Sequence, residues 1–529
     1  MKRALGVAGL LMACALAGCA GAQQGAANSS TLVQARVKDA VSLDPAVATD
    51  GLSLNVSVEA MRGLLRFKAG TFDVGPSIAK DWHSQDGGRV WLFDLKPDLK
   101  FSDGTPLDAA AVKFNFDRWR EPKNPYAGTQ PFSYYISMFG GQPGIIRGVD
   151  VVSPTQVRFT LSTPFGPFLR DLAMPSFAIG SPTAIKADPQ AFAQKPVGYG
   201  PYTVGEWVHD DHITLKANPA FDDPKPAYQT VVIRDIPDQA TSVLEAQKGS
   251  IDGLSDPRPE DAKALAKDTA LEVYQQPANN VAYLALNLEK KPFDDPRVRR
   301  AIAYALDLHA IVGGLYGKGA EVANTWVPDG MDGSSAPVKA YPHDIAKAKA
   351  LLAQAGLPHG FSTQLYYGTA PRPYLPEPQR IAEAIQAQLK QAGINLTLEP
   401  FEWAVYLQKI KNGEHPMCLI GWTGDNGDAD NFLYTLLDQD SAVKGAAQNY
   451  SFWRDPKFHA LMLAGQRTVD ESKRQAIYVQ AVRLVHDQVP AIPLVHTTVP
   501  IVWRRSVAGY VPNADSIVYY ELMHPAEAK

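Results

Sequence analysis

Cysteine is nearly missing from this chain. Three occur among 529 residues, at positions 14, 19 and 418, too few for a disulfide framework, and the core that a chain of this length can bury has no need of one. An excess of one charge is missing too. Lys and Arg number 51 against 55 Asp and Glu, for a formal net charge of −4, and the basic residues are scattered, so no basic face argues for nucleic acid. Beyond the first twenty residues no apolar run is long enough to span a membrane. Nor are the common hydrolase signatures present. There is no G-x-S-x-G elbow and no H-E-x-x-H, and "GGLYGKG" (Gly313 to Gly319) lacks both the spacing of a P-loop and the Ser or Thr that would reach magnesium. What remains is 45% hydrophobic and 20% charged residues, the proportions of a folded protein of at least two domains.

The one long apolar run lies at the start. Lys2 and Arg3 precede "ALGVAGLLMACALAG" (Ala4 to Gly18), too short for a stable span and placed as an export signal. It runs into "LAGC" (Leu16 to Cys19), which resembles the lipobox of bacterial lipoproteins. That resemblance implies cleavage before Cys19, lipid on its thiol, and a mature chain two charge units more negative. Residues 1–18 are therefore read as a signal peptide and 19–30 as a lipid-anchored flexible tether. The expected location is the periplasm or cell envelope, with a membrane reached through the anchor. Cys418 is left without a partner.

From residue 31 the texture is that of short alternating strands, such as "RVWLFDL" (Arg89 to Leu95) and "QVRFTL" (Gln156 to Leu161), with few long helical patterns. It changes near Asp294. "DDPRVRRAIAYALD" predicts a helix with Asp295 as its cap, Pro296 at the first position and a stripe of Val298, Ile302 and Leu306. "DIAKAKALLAQAG" and "EPQRIAEAIQAQLKQAG" repeat the device, each ending at a glycine, Gly356 and Gly393. Ile381, Ile385 and Leu389 share a face, and "INLTLEP" reads as the next strand. The expectation is an α/β chain with lobe I over 31–285, lobe II over 286–492 and a return segment, 493–529, completing lobe I. Two crossings, near Asn280–Asn287 and Ala491–Pro500, would make a hinge.

The stretch "GWTGDNGDADNF" (Gly421 to Phe432) sets three carboxylates among small residues. An EF-hand counted from Asp425 would put Ala429 at its fifth position and Leu436 at its twelfth, where ligands are needed. Nothing marks a glycosidase pair. "HDDH" (His209 to His212) reads as a solvated turn, and His415 with Cys418 forms no ligand set, so neither a metal nor a cofactor is expected. The remaining use of the loop is to hold a cation. "MCLIGW" (Met417 to Trp422) reads as a buried strand with the loop at its carboxyl end, where open α/β sheets place ligands. Gly424 and Gly427 allow close approach, Trp422 offers an apolar wall, and Asp425 is the candidate anchor. Asp428, Asp430 and Asn431 read as solvated caps ahead of "NFLYTLL".

At this point a family resemblance is legible. "DWHSQDGGRVWLFDLKPDLKFSDGTPLDAAAVKFNFDR", "GPYTVGEW", "NVAYLALNLEKKPFDDPRVRRAIAYALD", "PRPYLPEPQRIAEAIQAQLKQAG", "GWTGDNGDADNF" and "LVHDQVPAIPLVH" resemble, in order, the bacterial extracellular solute-binding proteins of family 5, dipeptide binders above all. The resemblance implies a two-lobed periplasmic binding protein-like fold (type II, large cluster C form) with an extra subdomain in lobe I, roughly 66–198, and a two-crossing hinge. It implies a monomer that is not an enzyme and hands a dipeptide or other short peptide to an inner-membrane ABC permease. Asp425 would take the α-ammonium and Arg372, in the segment Arg372-Pro373-Tyr374, the carboxylate. Thr49 and Ser53, in "SLDPAVATDGLS" (Ser42 to Ser53), would line the cleft.

Two departures stand out: Tyr199 in "GYGP", where the family usually has Thr, and Arg454, where some dipeptide binders carry a cysteine. Relatives of the same architecture carry nickel chelates, oligopeptides, glutathione or haem, and fold does not choose among them. A secreted hydrolase, or a lipoprotein adhesin or chaperone, would be a different class of answer.

Overall fold

A computed structural model describes residues 30–527 except Asp222. The expected signal peptide, Cys19 and nearly all of the tether lie outside the described residues. Among the described residues no helix is long and apolar enough to cross a membrane.

Two mixed sheets organise the chain. The second lobe is built on six strands in the order Glu321–Val322, Ala491–His496, Asn280–Leu286, Met417–Thr423, Phe361–Gly368, Ile394–Phe401. Asn280–Leu286 is buried along its whole length. Its alternate residues feed opposite cores: Ala282, Leu284 and Leu286 one side, Val281, Tyr283 and Ala285 the other. This period of two with both faces apolar is what a central strand covered by helices requires.

The helices on one face form where the local signals lie. Pro296–Ala305 starts at Asp295, whose side chain accepts from the Arg297 backbone N–H, and it buries Val298 and Ile302. Ile345–Gln354 is capped by Asp344. Pro378–Gln391 buries Ile381, Ile385 and Leu389. Gly356 and Gly393 follow the last two helices with φ of +82° and +90°, left-handed values that glycine adopts without a Cβ clash.

The first lobe holds a seven-stranded sheet in the order Leu271–Pro277, Thr498–Arg504, Gly253–Ser255, Thr31–Arg36, Thr230–Asp235, His212–Ala217, Tyr202–Val208. A separate antiparallel sheet of Ala79–Gln85, Val90–Leu95, Gln156–Leu161 and Ile146–Ser153 buries Trp91, Phe93, Val157 and Phe159. This half also contains helices that its sequence pattern hides. Ala109–Arg120 is twelve residues long, and its buried face includes Asn115 and Arg118, polar side chains that interrupt the apolar stripe.

The sheets are joined twice. Ala278 and Asn279 separate one pair of strands, and Thr497 alone separates the other. The crossings are tied to each other: Ala278 N–H donates to the Thr497 carbonyl at 3.0 Å, and Asn280 Nδ2 donates to Thr497 Oγ1 at 2.7 Å. Ala491–His496 still belongs to the second sheet, so the chain returns to lobe I at Thr497.

Candidate functional site

Phe361–Gly368 and Met417–Thr423 are parallel neighbours, with Leu365 beside Met417 and Tyr367 beside Leu419. Their loops therefore leave from the same end of the sheet, and they carry Arg372 and Asp425. Gly421 makes the junction tight. A Cβ there would run into the Tyr374 ring, so the buried Tyr374 lies on bare backbone of the neighbouring strand.

Asp425 is held by neutral groups. Tyr134 Oη donates to its Oδ1 at 3.3 Å and Asn431 Nδ2 to its Oδ2 at 3.2 Å. Asn431 Oδ1 in turn accepts from the Asp425 backbone N–H at 3.1 Å and from Trp422 Nε1 at 2.9 Å. Asn431 thus positions the loop instead of capping a helix, and Trp422 is fixed by its indole N–H. Burial raises the Asp425 pKa above the usual carboxylate range, opposed only by these neutral hydrogen bonds.

Arg372 sits in a turn closed by reciprocal backbone bonds with Leu375, both 2.9 Å. Its guanidinium lies over the Trp403 ring, 3.8 Å from the centroid, and its Nε is buried without a partner. Among the described residues no carboxylate pairs with it. Stacking of this kind orients a guanidinium while leaving its in-plane donors open. The next residue, Pro373, accepts from Thr497 Oγ1 at 3.2 Å, which ties the turn to the second crossing.

Beside the crossings a cavity of about 500 Å³ opens between the lobes, walled by Arg36, Asp256, Gln276, Asn279, Pro373 and Thr423 among others. Asp425 and Arg372 are not among its walls, but Pro373, next to Arg372, and Thr423, two residues before Asp425, are. Asn279 Oδ1 and the Tyr316 hydroxyl, from two of the wall residues, are buried without partners. Orphaned buried polar atoms cost about 1–3 kcal/mol each and are concentrated where function keeps them.

Thr49 and Ser53 do not join this arrangement. Thr49 is exposed away from the cavity walls. Ser53 is fully buried; its hydroxyl donates to Asp50 Oδ2 at 2.7 Å and accepts from Val41 N–H at 2.9 Å. It stabilises the start of the helix Gly51–Ala60 and has no donor left for a guest.

The other aspartates of the loop are also not solvated caps. Asp428 is fully buried and takes two bonds of 2.6 Å from the Arg474 guanidinium, with Arg170 at 3.3 Å. Arg474 holds its carboxyl down at about 2 against the desolvation that would raise it. Asp430 is enclosed beside Asp428, and burial together with that neighbouring charge pushes it up to about 7. Asn426 Nδ2 donates to Asp171 Oδ1 at 2.7 Å. A Cβ on Gly427, whose φ is +65°, would collide with the Phe72 ring. The loop is therefore docked on the inserted part of lobe I through Tyr134, Arg170, Asp171 and Phe72. Sequence reasoning missed these partners because nothing local marks a side chain that meets its mate hundreds of residues away.

The remaining sequence candidates have structural roles. His209 to Asp211 form the exposed turn between two strands. His415 is buried with its pKa lowered to about 4 by desolvation, and its Nε2 faces the Tyr450 carbonyl at 2.8 Å. Cys418 is buried and free. Tyr199 packs on Phe221 inside lobe I, away from the cavity walls. Arg454 pairs with Glu289 at 2.8 Å. Asp438, Asp440 and His459 have the spacing of metal ligands, yet they are engaged with one another, His459 Nδ1 to Asp438 Oδ1 at 2.9 Å and Asp440 N–H to Asp438 Oδ1 at 3.0 Å.

Comparison with known proteins places this geometry. Residues 73–443 match the description "Bacterial extracellular solute-binding proteins, family 5 Middle". The chain is 35% identical to the dipeptide-binding protein of Escherichia coli K12, over 91% of this chain and 92% of that protein. It is 31% identical to heme-binding protein A of Haemophilus influenzae, over 92% and 90%. Among solved structures, HbpA2 from Haemophilus parasuis superposes with a TM-score of 0.88 at 30% identity, covering 94% of this chain and all of that one. With two lobes joined by paired crossings, and a match that runs through both, the chain belongs to the bacterial extracellular solute-binding proteins of family 5.

Proposed function

We propose that this chain is the substrate-binding lipoprotein of an ABC importer, capturing dipeptides outside the cytoplasm and delivering them to an inner-membrane permease. The observation that carries the reading is a pair of opposite charges without counter-charges. Among the described residues Asp425 has only neutral partners and Arg372 has no carboxylate, and their loops leave the same end of two adjacent strands. A half-buried carboxylate and a guanidinium left unpaired are costly unless a guest supplies the opposite ends. A zwitterion with an ammonium at one end and a carboxylate at the other does so.

The pair also works as a ruler. An extended peptide advances about 3.3–3.6 Å per residue, so a third residue moves one terminus out of register and strands a charge, a loss of about 3–5 kcal/mol. Backbone pairing with the guest as an added strand gives affinity without reading side chains. The similarity to the E. coli dipeptide-binding protein supports the same cargo. Calorimetric titration of the purified protein with Ala-Ala, Ala-Ala-Ala and haem is the test. The expected order is Ala-Ala tightest, Ala-Ala-Ala weaker by about a hundredfold or more, and haem weaker than Ala-Ala. Haem tighter than any peptide would replace the reading by haem capture.

A further inference from the structure

The cavity walls contain two charged residues, Arg36 and Asp256, and only one of them is free. Arg36 is fully engaged: its Nε donates to Asp235 Oδ1 at 2.6 Å, its Nη2 to Asp39 Oδ1 at 2.9 Å and its Nη1 to the Leu52 carbonyl at 3.2 Å. Asp256 is the reverse case. Among the described residues no donor reaches its carboxylate, and its nearest basic neighbour in sequence, Arg258, is turned to Asp261 at 2.8 Å.

The turn that holds Asp256 is built to stay put. Its φ is +50°, a left-handed value that aspartate and asparagine tolerate better than most residues. Gln239 clamps the turn from both sides, its Nε2 donating to the Asp256 carbonyl at 3.3 Å and its Oε1 accepting from Arg258 N–H at 3.1 Å. Pro257 and Pro259 stiffen the following segment. The clamp fixes where on the cavity wall this unpartnered carboxylate stands. Asp256 is exposed on the cavity wall, so its carboxylate is open to an entering group.

We propose that Asp256 is a specificity residue that receives a second cationic group of the guest, so that the cavity favours dipeptides with a lysyl or arginyl side chain. This rests on the dipeptide reading above and goes beyond it. Asp425 and Arg372 take the two termini common to every dipeptide. Asp256 then adds a charge-assisted hydrogen bond that only a basic side chain can form, and the apolar walls, Ile233, Val499 and Ile501 among them, cover the methylene stem.

The experiment titrates the full purified chain, wild type and Asp256→Asn, with Ala-Ala and with two pairs matched in length, Ala-Lys against Ala-norleucine and Lys-Ala against norleucine-Ala. Asparagine keeps the shape and the backbone preference, so the fold is preserved. The wild type is expected to bind the lysyl member of at least one pair about tenfold tighter, and Asp256→Asn to erase that ratio while leaving Ala-Ala affinity unchanged. Equal binding within both pairs by the wild type, or a ratio that survives Asp256→Asn, overturns the proposal and leaves the dipeptide reading standing. Loss of Ala-Ala binding in Asp256→Asn overturns it differently, by making Asp256 the ammonium anchor. Failure of every dipeptide to bind the wild type overturns the dipeptide reading and this one together.

Discussion

Asp428 and Asp430 are two residues apart and carry opposite perturbations. Arg474 bonds Asp428 directly, while for Asp430 the charge of Arg474 and the bonds from Gln466 Nε2 at 3.0 Å and the Tyr478 hydroxyl at 3.3 Å do not offset burial and the neighbouring negative charge. The consequence for stability follows from proton linkage. With its folded pKa raised to about 7, Asp430 keeps its proton in the folded chain while the unfolded chain loses it above about 4. The folded state then binds more protons, so stability falls as pH rises from about 4 to about 7 and is flat beyond. Asp430→Asn should therefore raise Tm at pH 8 more than at pH 4; an equal shift at both would show that the carboxyl is already ionised in the fold. Gly427→Ala is expected to weaken the loop's docking, because the new Cβ meets Phe72 and the backbone is left-handed. Dipeptide affinity should drop with it, and unchanged affinity would mean the loop docks elsewhere.

At the scale of elements, the helices of lobe II were legible because their signals are local. Asp295 and Asp344 each precede an apolar stripe, and each caps its helix. Asp295→Ala should cost about 1 kcal/mol and Ile385→Ala, in the middle of a fully buried stripe, about 2–5 kcal/mol, read as a smaller and a larger fall in unfolding midpoint. The reverse order would mean that packing on the sheet matters less than the cap. Lobe I hid its helix Ala109–Arg120 because Asn115 bonds the Gly180 carbonyl at 2.8 Å and Arg118 bonds Asp44 at 2.6 Å. Polar side chains paired in the core look, in sequence, like a solvated face. The same limit concealed the loop's surroundings. Asp425 could be singled out from its strand and glycines, but Arg474 lies 46 residues from Asp428 and Arg170 lies 258 away, and no spacing rule reaches that far.

For the whole molecule, the acidic loop of lobe II is latched to lobe I. Arg170 reaches Asp428 and Asp332, both at 3.3 Å, while the short crossings at Ala278–Asn279 and Thr497 are the natural pivots. Arg170→Met removes the cation from lobe I but leaves Asp428 its two bonds to Arg474 within lobe II. Ligand-free Arg170→Met is accordingly expected to scatter X-rays as a more open particle, with a larger radius of gyration than wild type, and to close on adding dipeptide. Identical scattering from the two proteins would rule out a latch.

The central claim is that the two ends of a short zwitterion meet Asp425 and Arg372 separately, and pairing blocked guests with variants tests it most directly. Calorimetry of Ala-Ala, N-acetyl-Ala-Ala and Ala-Ala-amide against wild type, Asp425→Ala and Arg372→Ala gives two coupling cycles. The account predicts that each block weakens wild-type binding by about a hundredfold or more, that acetylation costs nothing further in Asp425→Ala, and that amidation costs nothing further in Arg372→Ala. Blocks and substitutions whose losses simply add would contradict it.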